Sequence, residues 1–206
     1  MLNGLSKYSK NGAALAIRYF TAPAWKGRVR RPPPQVLVGN PDLIGLLCSA
    51  NNFSHKYTSG VLSFSVEETA LIDAGSHLKG EILSEFEAFV FAGIADECRH
   101  YLAVEHRHMG RMEIHYLVPR IHSASGRYFN PFPPGYQRAN DVFIDYMSLQ
   151  YGLVNPRAPE RARSLRVNPR DPAVSLKLKI NDFILKSIEG GSISDAEDIK
   201  EVLVGG

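Results

Sequence analysis

Apolar and polar residues alternate most clearly between Arg99 and Val118, RHYLAVEHRHMGRMEIHYLV. Two such runs, 100–106 and 111–118, flank a polar link, Arg107-His108-Met109-Gly110, and together predict a β-hairpin with a four-residue loop. That loop would set His106 opposite Arg111 and Val104 opposite Glu113. Side chains on a strand alternate faces, and opposed residues share a face. His106, Glu113 and His115 are therefore expected on one side of the sheet. A loop one residue shorter or longer would break that parity.

The rest of the pattern is mostly helical. Residues 5–20 place Leu5, Tyr8, Leu15, Ala16, Tyr19 and Phe20 at apolar helical positions, with Asn11-Gly12 interrupting them. Residues 21–35 read as a basic loop whose three prolines, 32–34, favour an extended chain. Asn40-Pro41-Asp42 opens a helix over 41–50, and Ser65 with Glu68 resembles a capping box. Thr58–Ser65 alternates as a strand. The stretch 77–91 puts Leu78, Ile82, Leu83, Phe86, Phe89 and Val90 on one helical face. A Pro/Gly-marked loop, 123–137, precedes a helix over 138–151 that would bury Val142, Phe143, Tyr146 and Met147, with Gly152 ending it. An Arg-rich loop, 156–170, leads to a helix opened by Asp171-Pro172 and closed by Gly190-Gly191. Ser194 and Glu197 then suggest a cap for a short last helix. These elements predict an α+β fold, an antiparallel sheet with a central hairpin covered by helices.

Composition changes the picture at three points. A chain of 206 residues, 44% hydrophobic and 22% charged, is expected to form one globular domain over 1–206. With no domain-ending motif after Gly206, that domain is expected to be the N-terminal piece of a longer protein. No apolar run approaches a membrane span, and no signal peptide is evident, so the expected location is cytoplasmic, with Cys48 and Cys98 as buried thiols. The net charge of +3 hides two basic clusters, Lys26, Arg28, Arg30 and Arg31, then Arg157, Arg161, Arg163, Arg166 and Arg170. Such clusters suit a polyanion, though solvated loops carry the same composition.

Two imidazoles and a carboxylate on one strand face suit a divalent metal with positions left open for substrate oxygens. The same spacing also fits an ordinary hairpin with its polar side in water. Exposed aromatics such as Trp25, Tyr128, Phe129, Phe132 and Tyr136 would offer surfaces for unpaired bases.

Three separated tracts, HKYTSGVLSF (55–64), YLAVEHRHMGRMEIHYLVP (101–119) and GLVNPRAP (152–159), resemble the relaxase domain of mobilizable colicin-type plasmids. These are the MbeA/MobA-like relaxases with a His-Glu-Asn signature, within the HUH endonucleases. The resemblance runs in order over about residues 12–203. It implies that His106 and Glu113 are signature residues, that the family's Asn falls on His115, and that Tyr19 matches the nucleophilic tyrosine. His in place of Asn is a departure, and His is the better metal ligand.

What the resemblance implies for function is metal-dependent nicking of one DNA strand at an origin of transfer, with a 5′ phosphotyrosyl link and resealing. A magnesium or manganese ion would be the cofactor. Accessory mobilization proteins and a type IV secretion coupling protein would be partners, and the protein would travel with the DNA to a recipient cell. A rolling-circle replication initiator is the alternative enzyme, but it usually places its tyrosine after the hairpin. A non-catalytic single-stranded-DNA-binding module is the alternative of another class.

Overall fold

The computed structural model describes residues 1–6, 12–157 and 172–193. The chain divides into two units, Met1–Pro156 and Arg157–Gly206. The described strands of the first unit are β1 (Leu2–Leu5), β2 (Ala24–Trp25), β3 (Arg28–Val29), β4 (Gln35–Val38), β5 (Tyr57–Ser63), β6 (Leu102–His108) and β7 (Arg111–Pro119). Five of them form one antiparallel sheet in the order β1-β5-β7-β6-β4, while β2 and β3 make a separate short ribbon.

Strand alternation sends β6 and β7 side chains into two different cores. Ala103, Met112, Ile114, Tyr116 and Val118 face a core built with α3 (Val66–Ala74), α4 (Leu78–Val90) and α5 (Tyr136–Tyr151). Leu102, Val104 and Leu117 face the other way, against Phe20 of α1 (Ala14–Thr21) and Ile44 and Cys48 of α2 (Pro41–Ala50). Burial pushes the Cys48 thiol up to about 12, against the opposing pull of Lys56. The expected α+β class is what the structure has.

The caps follow local chemistry. Asn40 Oδ1 accepts from the backbone of Asp42 at 2.8 Å and Leu43 at 3.2 Å, with Pro41 in the first turn of α2. Ser65 and Glu68 exchange side-chain and backbone hydrogen bonds as a full capping box for α3. Glu68, 4% exposed, also accepts from Val154 N and from the Met1 amino group, so the cap ties α3 to β1 and to the end of α5.

The hairpin loop is two residues, not four. His108 pairs with Arg111, and only Met109 and Gly110 turn, with φ of 49° and 75°. Positive φ at both positions is the turn whose twist matches the strands, and Gly at the second removes half its cost. His106 consequently lies opposite Glu113, and Val104 opposite His115. The register differs from the expected one by two residues, an even number, so the parity is kept.

Other expectations shift for reasons distant in sequence. Leu5 belongs to edge strand β1 rather than to a helix, because Leu2–Leu5 pairs with Gly60–Ser63 of β5. The helix holding Tyr19 begins at Ala14, and Tyr8 lies outside the described residues. The long loop 21–35 contains the β2–β3 ribbon, and β4 follows it as the opposite sheet edge. On α5, Phe143 and Met147 are buried as expected, but Asn140 and Ile144 join them while Val142 and Tyr146 are 67% and 43% exposed. Asn140 Oδ1 accepts from Asn3, whose own oxygen accepts from the buried Tyr116 hydroxyl, each at 2.7 Å. This polar ladder needs Gly60 across from Tyr116, since a Cβ there would sit 2.2 Å from the hydroxyl oxygen. In the second unit, α6 (Val174–Glu189) starts after Pro172 and stops at Gly190. The last predicted helix lies outside the described residues.

Candidate functional site

The face that begins as apolar core at Leu102, Val104 and Leu117 becomes polar toward the hairpin turn. His106, Glu113 and His115 occupy it there, as parity requires. The two imidazole centroids are 4.3 Å apart. Glu113 Oε2 stands 3.5 Å from His115 Nε2, ion-pair range without hydrogen-bond geometry, so the buried Nε2 of His115 has no hydrogen-bond partner among the described residues. A buried imidazole nitrogen without a partner costs free energy unless something else occupies its lone pair or takes its proton.

His106 is 8% exposed, and its Nε2 lies 2.7 Å from the carbonyl oxygen of Phe20. A carbonyl only accepts, so Nε2 donates and Nδ1 keeps the lone pair. Burial brings the His106 pKa down to about 4, with the neighbouring His115 and Arg30 acting in the same direction and the Phe20 bond and Glu113 opposing. His106 is therefore neutral at physiological pH, the form that ligates metals. The adjacent His115 imidazole holds Glu113 below the usual carboxylate range, with burial opposing and Arg111 and His106 assisting. Glu113 is thus an anion. Among the described residues, no group of three or more His, Cys, Asp or Glu is placed to enclose a metal ion. His115 Nε2 and Glu113 converge, and the third donor, His106, has one of its nitrogens engaged by Phe20.

Tyr19 arrives from the last turn of α1. Its ring lies edge-on to His106 at 5.8 Å and to His115 at 5.6 Å, and Trp25 of the ribbon packs edge-on at 5.2 Å. Phe20, next in sequence, covers the His115 ring at 5.2 Å and supplies the carbonyl that His106 binds. One helix end thus presents the tyrosine and orients an imidazole.

The basic cluster beside it separates into two kinds. Lys26 and Arg28 are exposed on the ribbon, and exposed Arg31 lines a cavity of about 500 Å³ with Asp73, Glu105 and Arg107. Arg30 is turned inward, unlike the free phosphate contact expected of it. Its guanidinium lies 4.7 Å over the Tyr19 ring, and Nη1 donates to the carbonyls of Tyr19 and, at 3.0 Å, Ala22. Sequence reasoning missed this role, because nothing local marks which arginine of a cluster folds back. In the second cluster, Arg157 is exposed, while Arg161, Arg163, Arg166 and Arg170 lie outside the described residues. Of the aromatics expected at the surface, Tyr128 is 45% exposed, but Phe132 is 5% exposed and Phe129 stacks on Phe91 at 5.5 Å. Tyr136 also packs against the core. No described helix is long and apolar enough to cross a membrane.

No protein-family model matches the chain, and no solved structure does. Two curated proteins do. The chain is 31% identical to DNA relaxase MbeA of Escherichia coli over 186 residues, 86% of this chain and 34% of the relative. It is 29% identical to cryptic plasmid protein C of Neisseria gonorrhoeae over 136 residues, 66% of this chain and 64% of the relative. The chain therefore spans about one third of the length of the first relative and just under two thirds of the second. Over most of its length, this chain is similar to an MbeA-like DNA relaxase.

Proposed function

We propose that the chain is a plasmid-mobilization relaxase domain that nicks and reseals one DNA strand at an origin of transfer, with Tyr19 as nucleophile. The observation that carries the reading is the Tyr19 ring set edge-on against both His106 and His115. The similarity to a DNA relaxase over 86% of the chain supports it independently.

In the proposed step the phenol oxygen of Tyr19 bonds to phosphorus and the bond from phosphorus to the 3′ oxygen breaks. The phenolic proton is given up, and the departing 3′ oxygen takes a proton. The product is a 5′ phosphotyrosyl link and a free 3′ hydroxyl. One phosphate ester replaces another, so the reverse attack reseals the strand without a high-energy cofactor.

The residues divide the work. Arg30, over the Tyr19 ring and bound to the carbonyls at the end of α1, fixes the ring and favours the negative charge that grows on its oxygen. Trp25 closes one side of the ring. His115, Glu113 and His106 would hold a divalent ion, magnesium or manganese. The buried Nε2 of His115 without a hydrogen bond, the carboxylate beside it and the neutral His106 are donor types that suit such an ion, although as placed the three do not enclose one. Such an ion would withdraw negative charge from a non-bridging phosphate oxygen. Lys26, Arg28 and Arg31, with the arginines of 157–166, would hold the strand's phosphates. In the cell the domain would act in the cytoplasm with mobilization proteins and a secretion coupling protein.

Tyr19→Phe tests the reading, since it keeps the ring and removes only the oxygen. The parent should form an adduct with origin DNA that survives a denaturing gel, and the Phe variant should bind the DNA and form none. An adduct from the Phe variant would refute Tyr19 as the nucleophile.

A further inference from the structure

At the end of the sheet away from the hairpin turn, pairing of Tyr57 with Pro119 brings two loops together, 51–56 and 120–128. They lie beyond Pro119, four residues along β7 from His115, or about 13 Å at ~3.3 Å per strand residue. Residues 51–58 and 119–130 contain Lys56, Arg120 and Arg127, the imidazoles His55 and His122, and no Asp or Glu. A surface with three cations and no acid of its own is unusual on a chain carrying 24 basic and 21 acidic residues.

Both loops are braced by internal hydrogen bonds. Asn51 is fully buried, donating to Lys56 O at 3.0 Å and accepting from Phe53 N at 2.7 Å. The second loop closes through His122 N to Arg127 O at 2.9 Å and Gly126 N to His122 O at 2.8 Å. Across this frame Arg120 donates to the Thr58 hydroxyl at 2.7 Å and to the Tyr128 hydroxyl at 2.6 Å. Phe53 meets the Tyr128 ring edge-on at 5.0 Å. Tyr128 is thereby held from two sides while 45% exposed. The Arg120 guanidinium lies 5.9 Å from the ring centroid, and the exposed Arg127, one residue earlier in the chain, has no side-chain hydrogen-bond or ion-pair partner among the described residues.

A pre-oriented aromatic ring among uncompensated cations is the arrangement that binds an unpaired nucleotide, the ring stacking a base and the cations taking its phosphates. We propose that this surface is a second seat for single-stranded DNA, separate from the Tyr19 site, holding the strand a few nucleotides away from the bond that is cut. It rests on the strand-nicking reading for its ligand, but not on the nicking itself.

The test uses the full chain and two labelled oligothymidylates, one just long enough to occupy the Tyr19 end and one about three times as long. Tyr128→Ala should weaken binding of the long strand about 5-fold to 100-fold and leave the short one unchanged. Tyr128→Phe, which keeps the ring and its contact with Phe53 but loses the bond from Arg120, should lose far less than Tyr128→Ala. Arg127→Gln should lower the salt slope of the long strand by about 0.7. Equal loss for both lengths, no loss for either, or a duplex that competes as well as the long strand would each overturn the proposal. Strand binding that depends on Tyr128 in a protein that never nicks would refute the relaxase reading and leave the seat standing.

Discussion

The two faces of the β6–β7 hairpin share one backbone and differ in how their polar groups end. On the face toward α3, α4 and α5, Met112, Ile114 and Tyr116 are at most 1% exposed, and the polar groups among them are paired. Tyr116 reaches Asn3, Thr69 accepts from Met112 N at 2.9 Å, and Arg107 is held by Asp73 and Glu105. On the face toward α1, one residue out of phase, His115 keeps a buried nitrogen without a hydrogen bond, 3.5 Å from Glu113, and a neutral His106 is fixed by a helix-end carbonyl. Satisfied polar groups specify a fold, whereas an unsatisfied one beside a carboxylate and a tyrosine marks a place where a ligand or a reaction completes the set.

If the faces are as different as this, removing one side chain from each should do opposite things. Glu113→Ala should abolish cleavage and manganese binding in a calorimeter while the urea midpoint stays near that of the parent. Equal unfolding of both variants would erase the distinction. Ile114→Ala, on the opposite face, should cost about 2–5 kcal/mol of stability by urea unfolding, since it opens a cavity in a packed core. The protein that remains folded should still bind manganese.

A finer comparison lies within the basic cluster. Arg30→Lys keeps the charge but loses the planar guanidinium that lies over the Tyr19 ring. It should slow adduct formation about tenfold with strand affinity nearly unchanged, seen as a lower rate at saturating DNA. Lys26→Gln and Arg28→Gln should do the reverse, each lowering the salt slope of strand binding by about 0.7 with little change in the saturated rate. If Arg30→Lys behaves like them, its inward geometry has no functional meaning.

What could be read in the sequence was whatever depends on near neighbours or on parity. The caps at Asn40 and Ser65 are local hydrogen bonds, and an even register change leaves His106, Glu113 and His115 on one face. The loop length was misread because Arg107 and His108 are polar, although both lie in the ladder and only Met109-Gly110 turns. Strands β1 and β4 escaped because four residues show little periodicity and their partners are distant in sequence. Ile144 is buried in place of Val142 because the inward side of α5 is set by what it packs against, which the helical period alone does not fix. Tyr19 came from the family resemblance, as one tyrosine among nine, and its position against both imidazoles is independent of that resemblance.

The central claim is that chemistry occurs at one oxygen, and peptide mapping of the covalent product addresses it directly. After incubation with origin DNA and a divalent metal, the adduct is digested with nuclease and protease and its modified peptide is sequenced by mass spectrometry. The account predicts a 5′-phosphonucleotide on Tyr19, in the peptide that ends α1, and on no other tyrosine. A nucleotide found on Tyr57, Tyr128 or any other residue would contradict it.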